Sequence, residues 1–128
     1  MKPQSTESQP EAIEPVVVDL NTETLGSGGA VLSLPHGGDL DANLIGFDAG
    51  QGVGEHINDD VDVLIVVLSG SGELTIDGTP FQLGSNFLAL IPRGCSRSIT
   101  AGSTGISYMS VHRQRDALAI ASPPPEQI

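Results

Sequence analysis

Short apolar stretches separated by Gly, Pro, Asp and Ser recur along most of this chain. Each is rich in β-branched or aliphatic residues, which is typical of strands. Gly and Pro, at 16 and 9 residues, recur too often for long helices. Eight or more short strands predict an all-β sandwich or barrel. The predicted strands are 16–20, 30–34, 42–50, 61–68, 73–83 (as a hairpin), 87–92, 97–100 and 106–112, with 116–120 as a further candidate.

One hairpin can be predicted in detail. Asp77-Gly78 separates two short apolar runs within 73–83. Both residues tolerate the positive φ that a type I′ turn requires, so the two runs should pair as antiparallel neighbours.

The run from Val63 to Leu68 is apolar at every position. A strand that faces water on one side alternates polar and apolar residues, whereas a strand covered on both sides does not. One face should therefore meet the core and the other a second subunit, which predicts a homodimer.

The chain ends differ from the middle in composition. Residues 1–15 are polar without a period, and residues 122–128 carry three consecutive prolines that fit neither a helix nor a central strand. At 128 residues the chain has the size of a single domain. We predict an N-terminal tail at 1–15, one barrel domain at 16–121 and a Pro-rich tail at 122–128.

Charge and cysteine content exclude several classes of function. The formal net charge of −11 argues against nucleic acid or an anionic membrane surface as a partner, since both attract basic proteins. No apolar run approaches the roughly 20 residues of a membrane helix, and the first residues carry no apolar signal segment, so we expect a cytoplasmic protein. Cys95 is the only cysteine, which excludes an intramolecular disulfide and cysteine-rich zinc sites.

Two motifs resemble those of the cupin superfamily. The first cupin motif is a glycine, a His-x-His pair, a glutamate and a closing glycine; in this chain Gly50 or Gly52 opens it, His56-Ile57-Asn58 stands at the pair, Val63 at the glutamate and Gly70 at the end. The second motif is a glycine, a Pro-x-Gly and a histidine; here these positions hold Asn86, Pro92-Arg93-Gly94 and Arg97. The resemblance covers about residues 42–112, with "LTIDGTPFQLGSN" between the motifs as a cupin-like hairpin. It implies a jelly-roll β-barrel, also called a double-stranded β-helix.

The resemblance also implies that the metal site of the family is degenerate. Metal-binding cupins hold a divalent ion with three histidines and a glutamate, and only His56 keeps a ligand type at its family position. A cation at Arg97 would repel a metal ion, so no metal cofactor is favoured. An alternative set for iron, manganese or zinc is His56, Asp62 and His112, the last on one face of its strand with Tyr108 and Ser110.

The favoured function is therefore metal-free binding of a small anionic molecule in the barrel. Its ligand-binding candidates are His56, Asn58, Arg97 and His112, with Arg97 as the anion receptor. A buried ion pair between Arg97 and Asp62 is the structural alternative.

Three other functions stay open. One is a metal-dependent dioxygenase or isomerase. Another is a metal-free epimerase-like enzyme with His56 as base and Tyr108 as acid. The third is a purely structural dimer whose barrel is filled by Ile65, Val67 and Ile99. The remaining polar candidates receive no chemical role: His36 and Cys95 are expected in loops, and Asp59 and Asp60 in a turn.

Overall fold

The computed structural model describes residues 14–20, 28–34 and 38–114, and within them the chain forms seven strands and no helix. All strand pairs are antiparallel. The strands are β1 (Gly29–Ser33), β2 (Leu40–Phe47), β3 (Gly52–Ile57), β4 (Val63–Ile76), β5 (Thr79–Gly84), β6 (Leu88–Ile91) and β7 (Ser96–Arg113).

All seven strands are joined by hydrogen bonds into one sheet that folds back on itself, and the two long strands, β4 and β7, run through both of its halves, which we call the first and the second sheet. The first sheet has the order β1-β2-β7-β4-β6 and uses residues 106–113 of β7 with residues 63–70 of β4. The second has the order β3-β7-β4-β5 and uses residues 96–101 of β7 with residues 71–76 of β4. Strands that pass from one sheet to another in this way are typical of a jelly roll.

The crossing between the sheets depends on glycine. Gly70 has a φ of +83°, and a Cβ added there would lie 2.1 Å from the backbone oxygen of Gly105. The β4–β7 register shifts on both sides of Gly70, between Val67 and Ser69 and again before Gly72. No side chain other than hydrogen fits this approach, so the closing glycine of the first motif is where the two strands bend together.

One core lies between the two sheets. Its buried residues come from both, and they include Ile65 and Val67 of the first sheet and Leu74 and Ile99 of the second. The alternation along β4 explains this, since Val63, Ile65 and Val67 face inward while the residues between them are half-buried. The predicted all-β barrel is confirmed.

Several predicted elements need correction. Residues 16–20 form no strand, because the β-branched pattern there pairs with none of the described strands, and Val17 is 96% exposed. Residues 97–100 and 106–112 belong to one continuous strand, β7. The candidate strand at 116–120 and nearly all of the two predicted tails lie outside the described residues.

The predicted hairpin is confirmed. Asp77 and Gly78 both have positive φ, at 49° and 84°, and they connect β4 to β5. Asn86, at the position of the glycine in the second motif, is the other non-glycine residue with positive φ in the described part of the chain. Asn tolerates this conformation better than other non-glycine residues, which explains how the motif survives the substitution.

No helix in the described residues is long and apolar enough to cross a membrane.

Candidate functional site

A column of polar side chains lies on the inner face of β7. Tyr108, Ser110 and His112 stand directly opposite Val67, Ile65 and Val63, the inward residues of β4. All three polar residues are buried. The prediction that they share one face is confirmed, and His112 is buried although it lies near the end of its strand. Pairing of β7 with both β2 and β4 is what buries it.

Strand β2 adds two polar residues that the sequence analysis missed. Asp41 lies opposite His112 and Asn43 lies opposite Ser110. The Asn43 Nδ2 atom donates a hydrogen bond to Asp41 Oδ1 over 3.2 Å. The sequence pattern that could have identified them is the period of two in "LDANLIGF", which places Asp41 and Asn43 on the same face as Ile45 of the core.

The ring of His112 is held by its own backbone. Its Nδ1 lies 2.8 Å from the carbonyl oxygen of Arg113, and because a carbonyl can only accept, Nδ1 carries a hydrogen. Its Nε2 lies 3.7 Å from Asp41 Oδ2, beyond hydrogen-bonding distance. Within the described residues, His112 Nε2 and Ser110 Oγ are buried without a hydrogen-bond partner. These two atoms are therefore unsatisfied polar groups inside the barrel.

Arg97 supplies a positive charge in the interior. It is 1% exposed and shares the inward face of β7 with Ile99 and Ala101. Its Nη2 donates to the carbonyl oxygen of Pro92 over 3.0 Å. Pro92 follows the residue of β6 that pairs with Val63, and Val63 in turn pairs with His112. The guanidinium thus reaches toward the end of the barrel where His112 lies.

His56 lies directly opposite Arg97 in the β3–β7 pair. It is half-buried, and its Nδ1 donates to the carbonyl oxygen of Gly54 over 2.9 Å. The structure therefore brings His56 and Arg97 together, as predicted from the motif positions.

Asn58 does not continue the strand of His56, because β3 ends at Ile57. Its Oδ1 accepts hydrogen bonds from the backbone nitrogens of Asp60 at 3.0 Å and Val61 at 3.3 Å. The amide oxygen is thus used to shape the turn into β4. Asp59 and Asp60 are exposed residues of this turn, as expected.

The described residues do not fit a metal ion at the family position. The oxygen of Asn58 is used by the turn, Val63 is fully buried in the core without a donor atom, and Arg97 is a cation. Across residues 14–20, 28–34 and 38–114, no three His, Cys, Asp or Glu side chains are grouped closely enough to hold a metal ion.

The alternative metal set of His56, Asp62 and His112 is accordingly not assembled. Asp62 is exposed, and its Oδ1 accepts a hydrogen bond from the backbone nitrogen of Arg93 over 2.8 Å. That bond commits the carboxylate predicted to pair with Arg97 to the turn after β6. His112 instead has Asp41 as its neighbouring carboxylate.

Tyr108, the candidate acid of an epimerase-like pair, is fully buried nearer the middle of the barrel. Its ring centroid lies 6.5 Å from that of Phe47. Its pairing with His56 across a ligand stays a prediction. His36 lies outside the described residues.

Cys95 is half-buried in the segment that leads into β7. Burial raises the pKa of its thiol, and a hydrogen bond to the Asp77 carboxylate raises it further. The thiol therefore stays protonated at neutral pH, which is the opposite of what a nucleophilic cysteine needs.

Comparison with known proteins gives the fold but no sequence relative. No protein-family model and no curated protein matches the sequence. The protein BH2720 of Bacillus halodurans superimposes with a TM-score of 0.70 at 19% identity, over 94% of this chain and 91% of that one.

Two further solved structures are similar. The cupin domain of Cnp3 from Schizosaccharomyces pombe has a TM-score of 0.68 at 22% identity, over 81% of this chain and 77% of that one. A Klebsiella pneumoniae protein described by its double-stranded β-helix domain has a TM-score of 0.69 at 18% identity, over 81% and 94%. Both the resemblance of the motifs and the architecture agree with these neighbours: the chain has the double-stranded β-helix fold of the cupin superfamily.

Proposed function

We propose that this protein binds a small molecule carrying a carboxylate or phosphate group at the polar end of its barrel, without a metal ion. The observation that carries the proposal is the burial of Arg97 on the inner face, at 1% exposure, in a chain of net charge −11. A guanidinium offers a fork of donors that matches carboxylate and phosphate oxygens, and this attraction is strong where water is scarce.

Two neighbouring groups support a ligand at this end. Ser110 Oγ and His112 Nε2 are buried without hydrogen-bond partners in the described residues. Leaving a buried polar atom unsatisfied costs free energy that a ligand or an ordered water recovers. A hydroxyl and an imidazole two residues apart on one strand suit the polar remainder of a small anionic molecule.

Each predicted ligand-binding residue receives a distinct role in this proposal. Arg97 holds the anionic group, and His112 and Ser110 bind the polar remainder. His56, opposite Arg97, borders the site from β3. Asn58 shapes the turn beside it rather than contacting the ligand directly. The positive charge of Arg97 takes the place that a metal ion has in other cupins.

The proposal is tested by titrating acetate and inorganic phosphate into ¹⁵N-labelled protein and following the amide resonances. We expect at least one of the two anions to cause saturable changes in amide chemical shifts. These changes should be concentrated at the residues next to Pro92 and along β7. Arg97→Met should abolish these shifts, and His112→Gln should weaken them, while both variants keep a native spectrum.

Arg93→Met is the matched control, since Arg93 is exposed on the neighbouring turn and should be dispensable. Shifts lost equally in Arg93→Met and Arg97→Met would assign the anion to the protein surface and overturn the proposal. Absence of saturable shifts for both anions in the wild-type protein would overturn it too.

A further inference from the structure

An open groove lies on the outer face of the second sheet, on the side of β7 opposite the candidate anion site. Its volume is about 510 Å³, within the range of sites for small molecules. Arg97 and Ile99 of β7 are buried in the interior, so Ser98, which lies between them, points outward. We call this feature the hydroxyl groove, and its lining includes Gly52, Gly54, Glu55, Thr75, Ser98 and Thr100.

Three hydroxyl side chains meet in the hydroxyl groove. Thr75 of β4 lies directly opposite Ser98 of β7, and Thr100 is the next outward residue along β7. Residues directly opposite each other in an antiparallel pair have Cβ atoms about 5 Å apart. Two oxygens that accept hydrogen bonds from one ammonium group lie about 4.7 Å apart, because each N···O distance is about 2.9 Å and the donors are tetrahedral. The pair of Thr75 and Ser98 therefore suits an ammonium group.

A β-bulge in β3 brings a carboxylate to these hydroxyls. Between Val53 and His56 the register against β7 shifts, which leaves one extra residue on β3. Bulges of this kind change the direction of side chains. Glu55, within the bulge, accepts a hydrogen bond at Oε2 from Ser96 Oγ over 2.6 Å. A carboxylate has about four lone-pair sites, so this bond holds the group in place and leaves capacity for a ligand.

Glycine keeps the β3 side of the hydroxyl groove open. A Cβ added at Gly54 would meet nothing within 4 Å. A Cβ added at Gly52 would collide with the backbone of Ile99, so β3 lies directly against β7 at that point. No side chain therefore occupies the space next to Glu55 at these two positions, which leaves room for a ligand.

The charge of the surroundings selects a cation. Of the arginines in the described residues, Arg93, Arg97 and Arg113, none lines the groove. Glu73, which pairs with Thr100 on the outer face, adds a second carboxylate at the border. The chain as a whole has a net charge of −11, which attracts cations and repels anions.

We propose that the hydroxyl groove binds a primary ammonium group. The ammonium donates hydrogen bonds to the hydroxyls of Thr75 and Ser98 and pairs with the carboxylate of Glu55. No aromatic side chain of the described residues lines the groove, so it offers a sugar ring or a nucleobase nothing to stack on. A divalent metal ion needs more charged ligands than the described residues group together at any point.

The test follows the amide resonances of the ¹⁵N-labelled full chain during titration with n-butylamine at neutral pH and constant ionic strength. The matched probe is n-butanol, which has a hydroxyl in place of the ammonium. We expect saturable changes in chemical shift at Thr75 and along 52–55 and 98–100 with n-butylamine, and none with n-butanol. Nα-acetyl-lysinamide separates two sources of the group: the same changes with this probe would extend the ligand to a lysine side chain of a protein, and none would restrict it to a free amine.

Variants assign the binding to the groove. Glu55→Gln keeps an acceptor for Ser96 but removes the charge, and it should raise the dissociation constant of n-butylamine about fivefold, as expected for an exposed ion pair. Thr75→Val keeps the branched shape, removes the hydroxyl and should raise the constant by a similar factor. Asp59→Asn is the matched control, since it makes the same change in net charge on the exposed turn before β4 and should leave the constant unchanged.

Absence of saturable changes with n-butylamine would overturn the proposal, as would equal changes with n-butanol. Equal losses in Glu55→Gln and Asp59→Asn, or the same changes from calcium chloride at the same ionic strength, would indicate a general attraction of cations to an acidic protein and overturn it as well. Arg97→Met should bind n-butylamine as the wild-type protein does, which separates this site from the anion site inside the barrel.

Discussion

The Nη2 atom of Arg97 donates a hydrogen bond to the backbone oxygen of Pro92 over 3.0 Å, and this bond joins the two sheets of the barrel. Arg97 belongs to the part of β7 in the second sheet, whereas Pro92 directly follows β6 of the first. The contact spans the turn between β6 and β7, so one residue combines a structural role with the positive charge of the candidate site.

Truncating this side chain should destabilise the fold. Arg97→Ala leaves the oxygen of Pro92 with only the longer bond from the Cys95 nitrogen, at 3.4 Å, and opens a cavity in a buried position, so we expect a loss of about 3 kcal/mol in the free energy of unfolding. Arg97→Met should lose less, since it refills most of the volume with apolar atoms. Urea denaturation measures both.

The exposed Arg93 provides the control for this prediction. Arg93→Ala should change the free energy of unfolding by no more than about 0.5 kcal/mol. Equal losses in the Arg93 and Arg97 variants would mean that the bond from Arg97 to Pro92 contributes nothing particular to stability.

Asn58 should matter for stability through its amide oxygen. Asn58→Ala removes the acceptor for the backbone nitrogens of Asp60 and Val61, and we expect a cost of about 1–2 kcal/mol. Asn58→Asp keeps an acceptor oxygen and should cost less. Thermal denaturation of both variants checks this, with exposed Asp59→Ala as the neutral comparison. A loss in Asn58→Asp as large as in Asn58→Ala would contradict the role of the Asn58 oxygen in shaping the turn.

Gly70 should tolerate no side chain. In Gly70→Ala the new methyl group would lie 2.1 Å from the Gly105 oxygen, at a φ of +83°. We expect a loss of at least about 2 kcal/mol in the free energy of unfolding, because both contacting groups are backbone and cannot turn aside. Gly54→Ala is the matched control, since a Cβ there meets nothing within 4 Å. Similar losses in the two variants would show that the close approach does not limit position 70.

The reactivity of Cys95 should have a distinct pH dependence. Because burial and the Asp77 carboxylate raise the pKa of the thiol, its thiolate fraction at any pH below that pKa is smaller than that of an ordinary cysteine. Alkylation by iodoacetamide should therefore be slow at neutral pH and rise with a midpoint above the ordinary thiol value.

Asp77→Asn tests the cause of that shift. The substitution keeps a residue suited to the turn but removes the charge, so the midpoint should move down in pH. The rise in the pKa of the Cys95 thiol should be reversed only in part, since burial is its largest cause. A midpoint at the ordinary value in the wild-type protein, or one unchanged by Asp77→Asn, would contradict this account.

Much of the fold could be predicted from local patterns. The turn at Asp77-Gly78 follows from which residues accept positive φ, and the alternation that puts Tyr108, Ser110 and His112 on one face follows from strand geometry. The resemblance of two motifs to those of the cupin superfamily implied the double-stranded β-helix. The failure at 16–20 is instructive, because β-branched residues favour a strand only where another strand is present to pair with them.

The candidate site was predicted only in part. The sequence placed His56 near Arg97 through the cupin-like motifs, but it offered Asp62 as an alternative ion-pair partner for Arg97 and left Asp41 and Asn43 unnoticed. A carboxylate near in sequence need not be near in space: Asp62 holds the turn at Arg93, while Asp41 reaches His112 through the pairing of β2 with β7. Cytoplasmic location and metal-free binding stay predictions.

By itself, the sequence determined the class of fold, the turns and the inward or outward direction of most strand residues, because these depend on local conformational preference and a period of two. Apart from the hairpin of β4 and β5, the tertiary structure alone decided which strands are neighbours. Neighbouring strands are what bury His112 beside Asp41 and place His56 opposite Arg97. They also join Leu64, Leu88 and Met109 into one outer surface. Such contacts depend on the registers between distant segments, which no local pattern encodes.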